Sequence, residues 1–408
     1  MNAYLDIFRN RRVAVVFLLG FSSGLPLALT GNGGSLQAWM TVSGVDLTTI
    51  GIFALVGLPY TWKFLWAPFM DRFVPPWLGR RRGWIVATQL ALMTALAVMG
   101  SLNPANAPWA LAALAVIVAF SSASQDIVID AYRTDVLKRE ERETGAGVSV
   151  LGYRLAMLVS GALALIIADK IGWQNTYWFM AALMGLAVLP TLWGPEPEYI
   201  RPPATLAEAV VDPLREFFSR KGVWGLVLLI VLYKLGDAFA GSLTTTFLIR
   251  AIGLTQPEVG VINKGVGLAA TLVGVVIGGA LLPKLGLFRS LLAFGFLQAV
   301  AILAFMWLAD VGKNYNLVLF AVGAENLTSG MGTAAFVALL MSLCNHRFTA
   351  SQYALLSALA AVGRVYVGPA SGYLVKLMGW THFFGFAFLA AVPGLILLWL
   401  LRKRIVNA

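Results

Sequence analysis

Five basic residues, Lys63, Arg154, Lys234, Lys264 and Arg364, and four acids, Asp126, Asp130, Asp237 and Glu325, stand in stretches that are otherwise apolar. Charges in such places suit the movement of protons and the capture of anions. Asp126 and Asp130 are four apart, so a helix puts them on one face, and Arg133 continues the stripe. A carboxyl in low dielectric holds its proton more tightly, which fits a proton carrier; the plain alternative is a structural ion pair, Asp126 with Arg154. Lys234 and Asp237 are three apart. Either they neutralise each other, or Lys234 meets an anionic cargo with Asp237 beside it. Glu325 has no base within a turn along the chain, and protonation is the simplest way to keep such an acid in hydrocarbon. Asp126, Asp130 and Glu325 are therefore the candidate proton carriers. Arg154 and Arg364 either attract carboxylates or brace helices, and Lys63 joins the candidate cargo contacts. Gln37 and Gln125 either bond hydroxyls or amides of a cargo or join helices to one another. Tyr60 offers an aromatic face for stacking, whereas Trp39, at the end of an apolar run, reads as an interface anchor.

Bond-making chemistry finds no such support. There is no G-x-S-x-G elbow and no Walker loop, and the chain has one cysteine, Cys344, and two histidines, His346 and His382. No disulfide, metal centre or cofactor is expected. A membrane-embedded enzyme remains a remote alternative.

These charges must be positioned by elements that cross a bilayer. Hydrophobic residues make up 59% of the 408, and charged residues only 12%, against roughly a quarter in soluble domains. A hydrocarbon core takes ~20 apolar residues per helix. Such runs occur at approximately 13–40, 48–69, 84–103, 108–131, 146–168, 173–194, 223–249, 259–283, 289–308, 316–343, 348–374 and 381–401. They are continuously apolar, which excludes the alternation of a membrane barrel. The first is too long for one pass, and between Pro26 and Gly34 it should be irregular. The expected fold is an all-α membrane protein with twelve transmembrane helices in two six-helix bundles. Residues 1–195 form the first bundle and 223–408 the second. Between them, 196–222 is a cytoplasmic linker with an amphipathic helix from Thr205.

The net charge of +11 is a topology signal. With the N-terminus inside, 21 of the 30 basic residues fall on the cytoplasmic side and four, Lys170, Arg250, Lys313 and Lys376, outside. Both termini are thus expected in the cytoplasm, and a nucleic-acid partner has no support. Residues 1–12 are short and basic and the run that follows exceeds an h-region, so no cleavable signal peptide is expected.

The halves share marks at an offset of about 207 to 211 residues: Gly152-Tyr153-Arg154, Ser160-Gly161 and Gly172-Trp173 against Gly363-Arg364, Ser371-Gly372 and Gly379-Trp380. After span two come Asp71-Arg72 and then Gly79 followed by Arg80, Arg81 and Arg82; after span eight comes Gly286 followed by Arg289. The first of these resembles the major facilitator signature G-x-L-x-D-R-x-G-R-R-R, lengthened here by residues 73–78. That resemblance implies a cytoplasmic gate built from Asp71, Arg72, Arg80 and Arg81, with Asp135, beyond the end of span four, as a solvated or gating acid.

Longer stretches carry a tighter resemblance: GFSSGLPLAL at 20–29, KFLWAPFMDR at 63–72, SQDIVIDAYRTD at 124–135, LYKLGDAF at 232–239 and TTTFLI at 244–249. Together they resemble the AmpG family, the muropeptide permeases of Gram-negative bacteria. The resemblance spans all twelve runs. It implies a secondary transporter in the inner membrane. Its cargo is N-acetylglucosaminyl-1,6-anhydro-N-acetylmuramic acid, with or without stem peptide, moved from periplasm to cytoplasm at the expense of the proton gradient. That import serves cell-wall recycling and feeds β-lactamase induction. The expected partners are the small-molecule cargo, protons and the lipid bilayer, with the chain working as a monomer. Some members of the family carry further hydrophobic segments after the twelfth span. The wider family also resembles acetyl-CoA transporters, so another bulky anion remains open as cargo.

Overall fold

Inside hydrocarbon a backbone has only itself to bond, which leaves helices and closed barrels as spanning elements. This computed structural model describes residues 10–31, 34–138, 141–197, 212–220, 222–344 and 349–406. Every regular element among them is a helix. Among the described residues eight helical runs are long and apolar enough to cross a membrane. Two of these, Gly147–Trp193 and Leu355–Leu400, contain 47 and 46 residues. At ~1.5 Å per residue each would stand ~70 Å tall, more than twice a ~30 Å hydrocarbon core. Each is broken by one glycine outside helical geometry, Gly172 (φ 82°, ψ 163°) and Gly379 (φ 77°, ψ 172°), so each makes two passes. With residues 47–72 as span two and Tyr315–Ser342 as span ten, the described residues supply the twelve passes.

The internal repeat is written into the backbone. Gly172 and Gly379 share one left-handed conformation; so do Gly79 and Gly286 (φ 81° and 78°), and Gly44 and Gly253 (φ 79° and 74°). The members of each pair stand 207 to 209 residues apart. A side chain there clashes with its own backbone, so glycine marks the same turns in both halves.

The contacts divide the chain into two compact units, Met1–Gly44 with Val56–Pro202, and Val45–Leu55 with Pro203–Ala408. In the first unit, spans one and five cross closely, because a Cβ on Gly20 would meet the Ser149 carbonyl and one on Gly152 the Phe17 carbonyl. Its core lies around Val15, Val16, Leu19, Ile85 and Tyr132. In the second unit the core gathers Phe217, Leu229, Ile230, Tyr233, Phe294 and Phe336. Tyr233 stacks on Phe336 at 5.3 Å and donates to the Leu291 carbonyl at 2.9 Å. The segment Val45–Leu55 packs on span eleven, where a Cβ on Gly372 would meet the Leu47 carbonyl. Arg250 holds the Val45 carbonyl at 2.6 Å.

Three spans are interrupted. Span one is helical over Arg11–Thr30, turns extended at Gly31 (φ −73°, ψ 157°) and resumes at Ser35. The break expected between Pro26 and Gly34 is therefore present, but it starts at Gly31; Pro26 stays inside the helix, and its carbonyl accepts from Thr30 Oγ1 at 3.1 Å. Asn32 and Gly33 lie outside the described residues. Span two, read from sequence as one run, is five short pieces. The α-helices Leu58–Trp62 and Ala67–Arg72 each carry a proline in the first turn, and 3-10 turns Phe53–Gly57 and Lys63–Leu65 precede them. Pro59 and Pro68 lack a donor and disfavour helix in the residue before them, which fragments the run. Span seven breaks at Lys234 (φ −100°, ψ 5°) and at Leu243 (φ −125°, ψ 15°) without a proline.

Of the amphipathic linker, residues 198–211 lie outside the described residues. Helix Asp212–Phe218 is described, and Phe217 on it is fully buried in the second unit's core. Just after it, Arg220 donates to the Leu343 carbonyl at 2.6 Å, which serves one of the orphan acceptors at the end of span ten.

Candidate functional sites in the two units

In the first unit the candidate residues converge on span four. Helix Pro108–Val136 presents Ser122 and Asp126 on one face, four apart. Asp126 accepts from Ser23 of span one, and the Lys63 ammonium is the largest opposing charge beside it. Tyr60 brings its hydroxyl next to Ser122 and within the field of Asp126. Lys63 reaches this place because span two unwinds there: it opens the 3-10 turn Lys63–Leu65. The ion pair of Asp126 with Arg154, the structural alternative to a proton carrier, is absent among the described residues; the Arg154 guanidinium lies instead against Met157 Sδ at 4.0 Å. Asp130 points elsewhere, 58% exposed and paired with Arg133 at 3.1 Å. Gln125 is fully buried and donates to Ser22 at 2.5 Å, while Gln89 donates to the same hydroxyl at 3.1 Å. Such a knot joins spans one, three and four, which is the helix-joining alternative for Gln125. Gln37 is buried on helix Ser35–Val42. Trp39 is no interface anchor: it is 5% exposed and packs on Trp173 at 5.9 Å and Tyr177 at 4.9 Å.

A second constellation in this unit sits at the start of span three. Helix Arg80–Gly100 begins after Gly79. Glu196 accepts from the backbone N–H groups of Arg81 at 2.9 Å and Arg82 at 3.1 Å. Those donors have no partner within the helix, and the helix dipole favours an anion there. Gly79 permits the approach, since a Cβ on it would stand 2.7 Å from the Glu196 carboxyl. The Arg81 side chain donates to Asp135 at 2.8 Å, with the two side chains 10% and 12% exposed. Arg82 binds the Thr191 and Leu192 carbonyls at 2.9 and 2.7 Å. Asp135, beyond the apolar run of span four but still on helix Pro108–Val136, is paired and largely buried rather than solvated, which leaves the gating alternative. Arg80 is buried as well. The side chains of Asp71 and Arg72 lie outside the described residues. Glu196 was missed by sequence reasoning, which placed it at the head of the linker; its signal was an acid just after a span whose partner helix opens with three arginines.

In the second unit four charged side chains meet. Lys234, at the first break of span seven, pairs with Asp237 at 3.5 Å and reaches Thr333 at 3.4 Å. Glu325 of span ten is not isolated. Its carboxyl lies within the field of Asp237, Lys234 and Lys264, and it accepts from Asn326 at 2.9 Å. Lys264 comes from the π-helical stretch Gly260–Val266 of span eight and donates to Thr245 at 3.2 Å. Wide turns of this kind re-aim side chains and recur at functional sites. Sequence reading noted Lys264 as a base in a span and gave it no role, because contact between spans seven, eight and ten is invisible along the chain. Arg364 is not brought to this cluster; it is exposed on span eleven.

The model of the Major Facilitator Superfamily matches residues 16–365. The chain is 58% identical to the anhydromuropeptide permease of Escherichia coli strain K12, over 99% of this chain and 82% of that protein. It is 34% identical to the putative transporter AmpG 4 of Rickettsia felis, over 98% of both. Among solved structures, a bacterial homologue of the human lysosomal transporter Spinster, inward-facing and unoccupied, superposes with TM-score 0.72 at 16% identity, covering 97% of this chain and 96% of that one. A D-xylose–proton symporter superposes with TM-score 0.72 at 11% identity, covering 96% of each. At such identities the solved structures speak for the fold alone.

Proposed function

This chain belongs to the Major Facilitator Superfamily, in the same family as the Escherichia coli anhydromuropeptide permease, and from that premise we propose that it imports anhydro-muropeptides across the bacterial inner membrane, driven by protons. The observation that carries the reading is 58% identity over 99% of the chain. Interrupted helices and paired charges are spread over both units, and the relationship leaves no unit unmatched.

The chemistry agrees. The cargo is a sugar with at least one carboxylate, so it needs cations inside the membrane. Lys63, Lys234 and Lys264 each lie on an irregular stretch of a span. Backbone of that kind is tolerated in a membrane only where protein or water satisfies it, which is the setting of transporter sites. Asp126 and Glu325 are the proton carriers of this reading: each faces a lysine and is bonded by a neighbouring side chain. Asp130, exposed and bound to Arg133, plays at most a relay part. Positive charge on one side of the spans supports a topology with both termini in the cytoplasm.

The test is uptake of radiolabelled N-acetylglucosaminyl-1,6-anhydro-N-acetylmuramic acid into proteoliposomes holding the purified protein. With the outside made acidic, label should accumulate above its equilibrium level, and collapsing the gradient should abolish accumulation while leaving exchange. Equal filling of protein-free and protein-containing vesicles would end the cargo assignment. Accumulation that ignores the pH gradient would end the proton assignment.

A further inference from the structure

Gly332 of span ten is buried, and polar groups of two other spans border the place where its side chain would stand. A Cβ there would lie 3.0 Å from Oε1 of Gln298, on span nine, and 4.0 Å from Nζ of Lys234, at the first break of span seven. Gln298 is 4% exposed, and its Nε2 has no hydrogen-bond partner among the described residues. Buried amide donors are almost always paired, because a bare one keeps its full desolvation cost. Gly332 is helical and is not one of the positive-φ turns. Its missing side chain therefore supplies room, not a special conformation.

Asp237 and Thr333 engage the Lys234 ammonium at 3.5 and 3.4 Å. An ammonium has three donors, so one is left over. Asp237 also opposes the charge of the lysine, so the gap suits a neutral polar group, and the cargo's carboxylate is served by another cation. One turn further along span ten, Phe336 stacks on Tyr233 at 5.3 Å, which sets an apolar wall beside the polar one. Thr333, next to Gly332, is exposed and gives the site an open side.

We propose that Gln298, Lys234 and the bare backbone at Gly332 form a subsite for a 2-acetamido sugar. The inference deepens the reading above that the cargo is an anhydro-muropeptide, and it rests on that reading. Such a sugar offers an amide N–H and, on the next ring carbon, an oxygen. The Gln298 carboxamide offers the matching pair: Oε1 accepts the N–H, and the bare Nε2 donates to the oxygen. The acetyl carbonyl takes the remaining Lys234 donor. A side chain at position 332 would stand where the acetamido group goes.

Two probes isolate that group: N-acetylglucosaminyl-1,6-anhydro-N-acetylmuramic acid, and its 2-deoxy analogue with hydrogen in place of both acetamido groups. Each carries one carboxylate, so charge is held constant. Titration calorimetry on the purified protein in detergent measures both. The wild type should bind the analogue about ten- to a hundredfold more weakly than the acetamido sugar. Gln298→Leu should weaken binding of the acetamido sugar by a similar factor and leave the analogue as in the wild type, which also certifies its fold. Gly332→Ala should do likewise, and alanine in a helix interior carries no propensity cost against glycine. Should Gln298→Leu fail to fold, Gly332→Ala decides alone. A wild type that binds both probes equally overturns the subsite while leaving the cargo assignment intact, as do variants that still discriminate between the probes as the wild type does. A wild type that binds neither probe overturns the cargo assignment and the subsite with it.

Discussion

Asp126 and Glu325 are both acids of the spans, yet their surroundings differ. Asp126 has one lysine, one serine and a tyrosine–serine pair around it; Glu325 has a second carboxyl and two lysines. Removing the charge of Asp126 leaves Lys63 in hydrocarbon without its acid, and a lone ammonium there is costly. Asp126→Asn should therefore lose uphill uptake and stability together. The double variant Asp126→Asn with Lys63→Gln should recover much of the stability, by about 1–3 kcal/mol, without recovering accumulation. Melting in detergent and gradient-driven uptake measure the two. A double variant no more stable than the single one would mean that these side chains do not interact. Glu196 belongs to the same scale. Glu196→Ala strips two backbone donors of their acceptor at the head of span three and should cost about 1–3 kcal/mol; an unchanged melting temperature would contradict the capping role.

Elements are positioned here by interruptions as much as by helices. Gly172 and Gly379 divide two helical runs too long for a bilayer, at repeat-related places and with nearly the same dihedrals. Gly172→Ala and Gly379→Ala should each destabilise by about 1–2 kcal/mol, and by similar amounts, whereas Gly147→Ala, helical and with open space around its Cβ position, should not. Thermal melts of the three variants compare them directly. The short helix Leu47–Ile52 depends on its cap: Asp46 accepts from the Thr49 hydroxyl and from the Thr48 and Thr49 backbone N–H groups at 3.0 and 3.1 Å. The Thr49 hydroxyl foremost, with burial opposing and the backbone bonds and Lys376 assisting, holds the Asp46 carboxyl below the usual carboxylate range. A carboxyl whose folded value is depressed contributes fully above its unfolded value, about pH 4, and loses that contribution as pH falls through the lower folded value. Wild type should therefore lose stability relative to Asp46→Asn on acidification below about pH 4. Parallel curves for the two proteins would remove Asp46 from the acid response.

At the scale of the whole molecule, two statements rest on different physics. The major facilitator fold follows from the family match over residues 16–365 and from the twelve passes. The proposed orientation rests on charge placement alone, so it has its own test. Fusions of an enzyme active only in the periplasm to the loop containing Lys313, and of one active only in the cytoplasm to the C-terminus, should both be active; the reverse pattern would invert the topology.

Hydropathy and glycine placement were enough to read helices, their number, the repeat and the break in span one, because each of these is local: a run of apolar residues, a donor missing at proline, a glycine where φ is positive. The family was legible too, from stretches such as GFSSGLPLAL and LYKLGDAF. Sequence also named most of the charges that matter. What it could not assign was company. Glu325 read as solitary because Asp237, Lys234 and Lys264 are 61 to 91 residues away along the chain, and only the packing of spans seven, eight and ten brings them to it. The ion-pair alternative for Asp126 pointed to Arg154, yet its opposing charge is Lys63, delivered by an unwound turn. Glu196 read as linker until the bare amides of span three found it. A charge in low dielectric takes its behaviour from the groups within a few ångströms, and in a bundle of helices those groups are set by the tertiary structure.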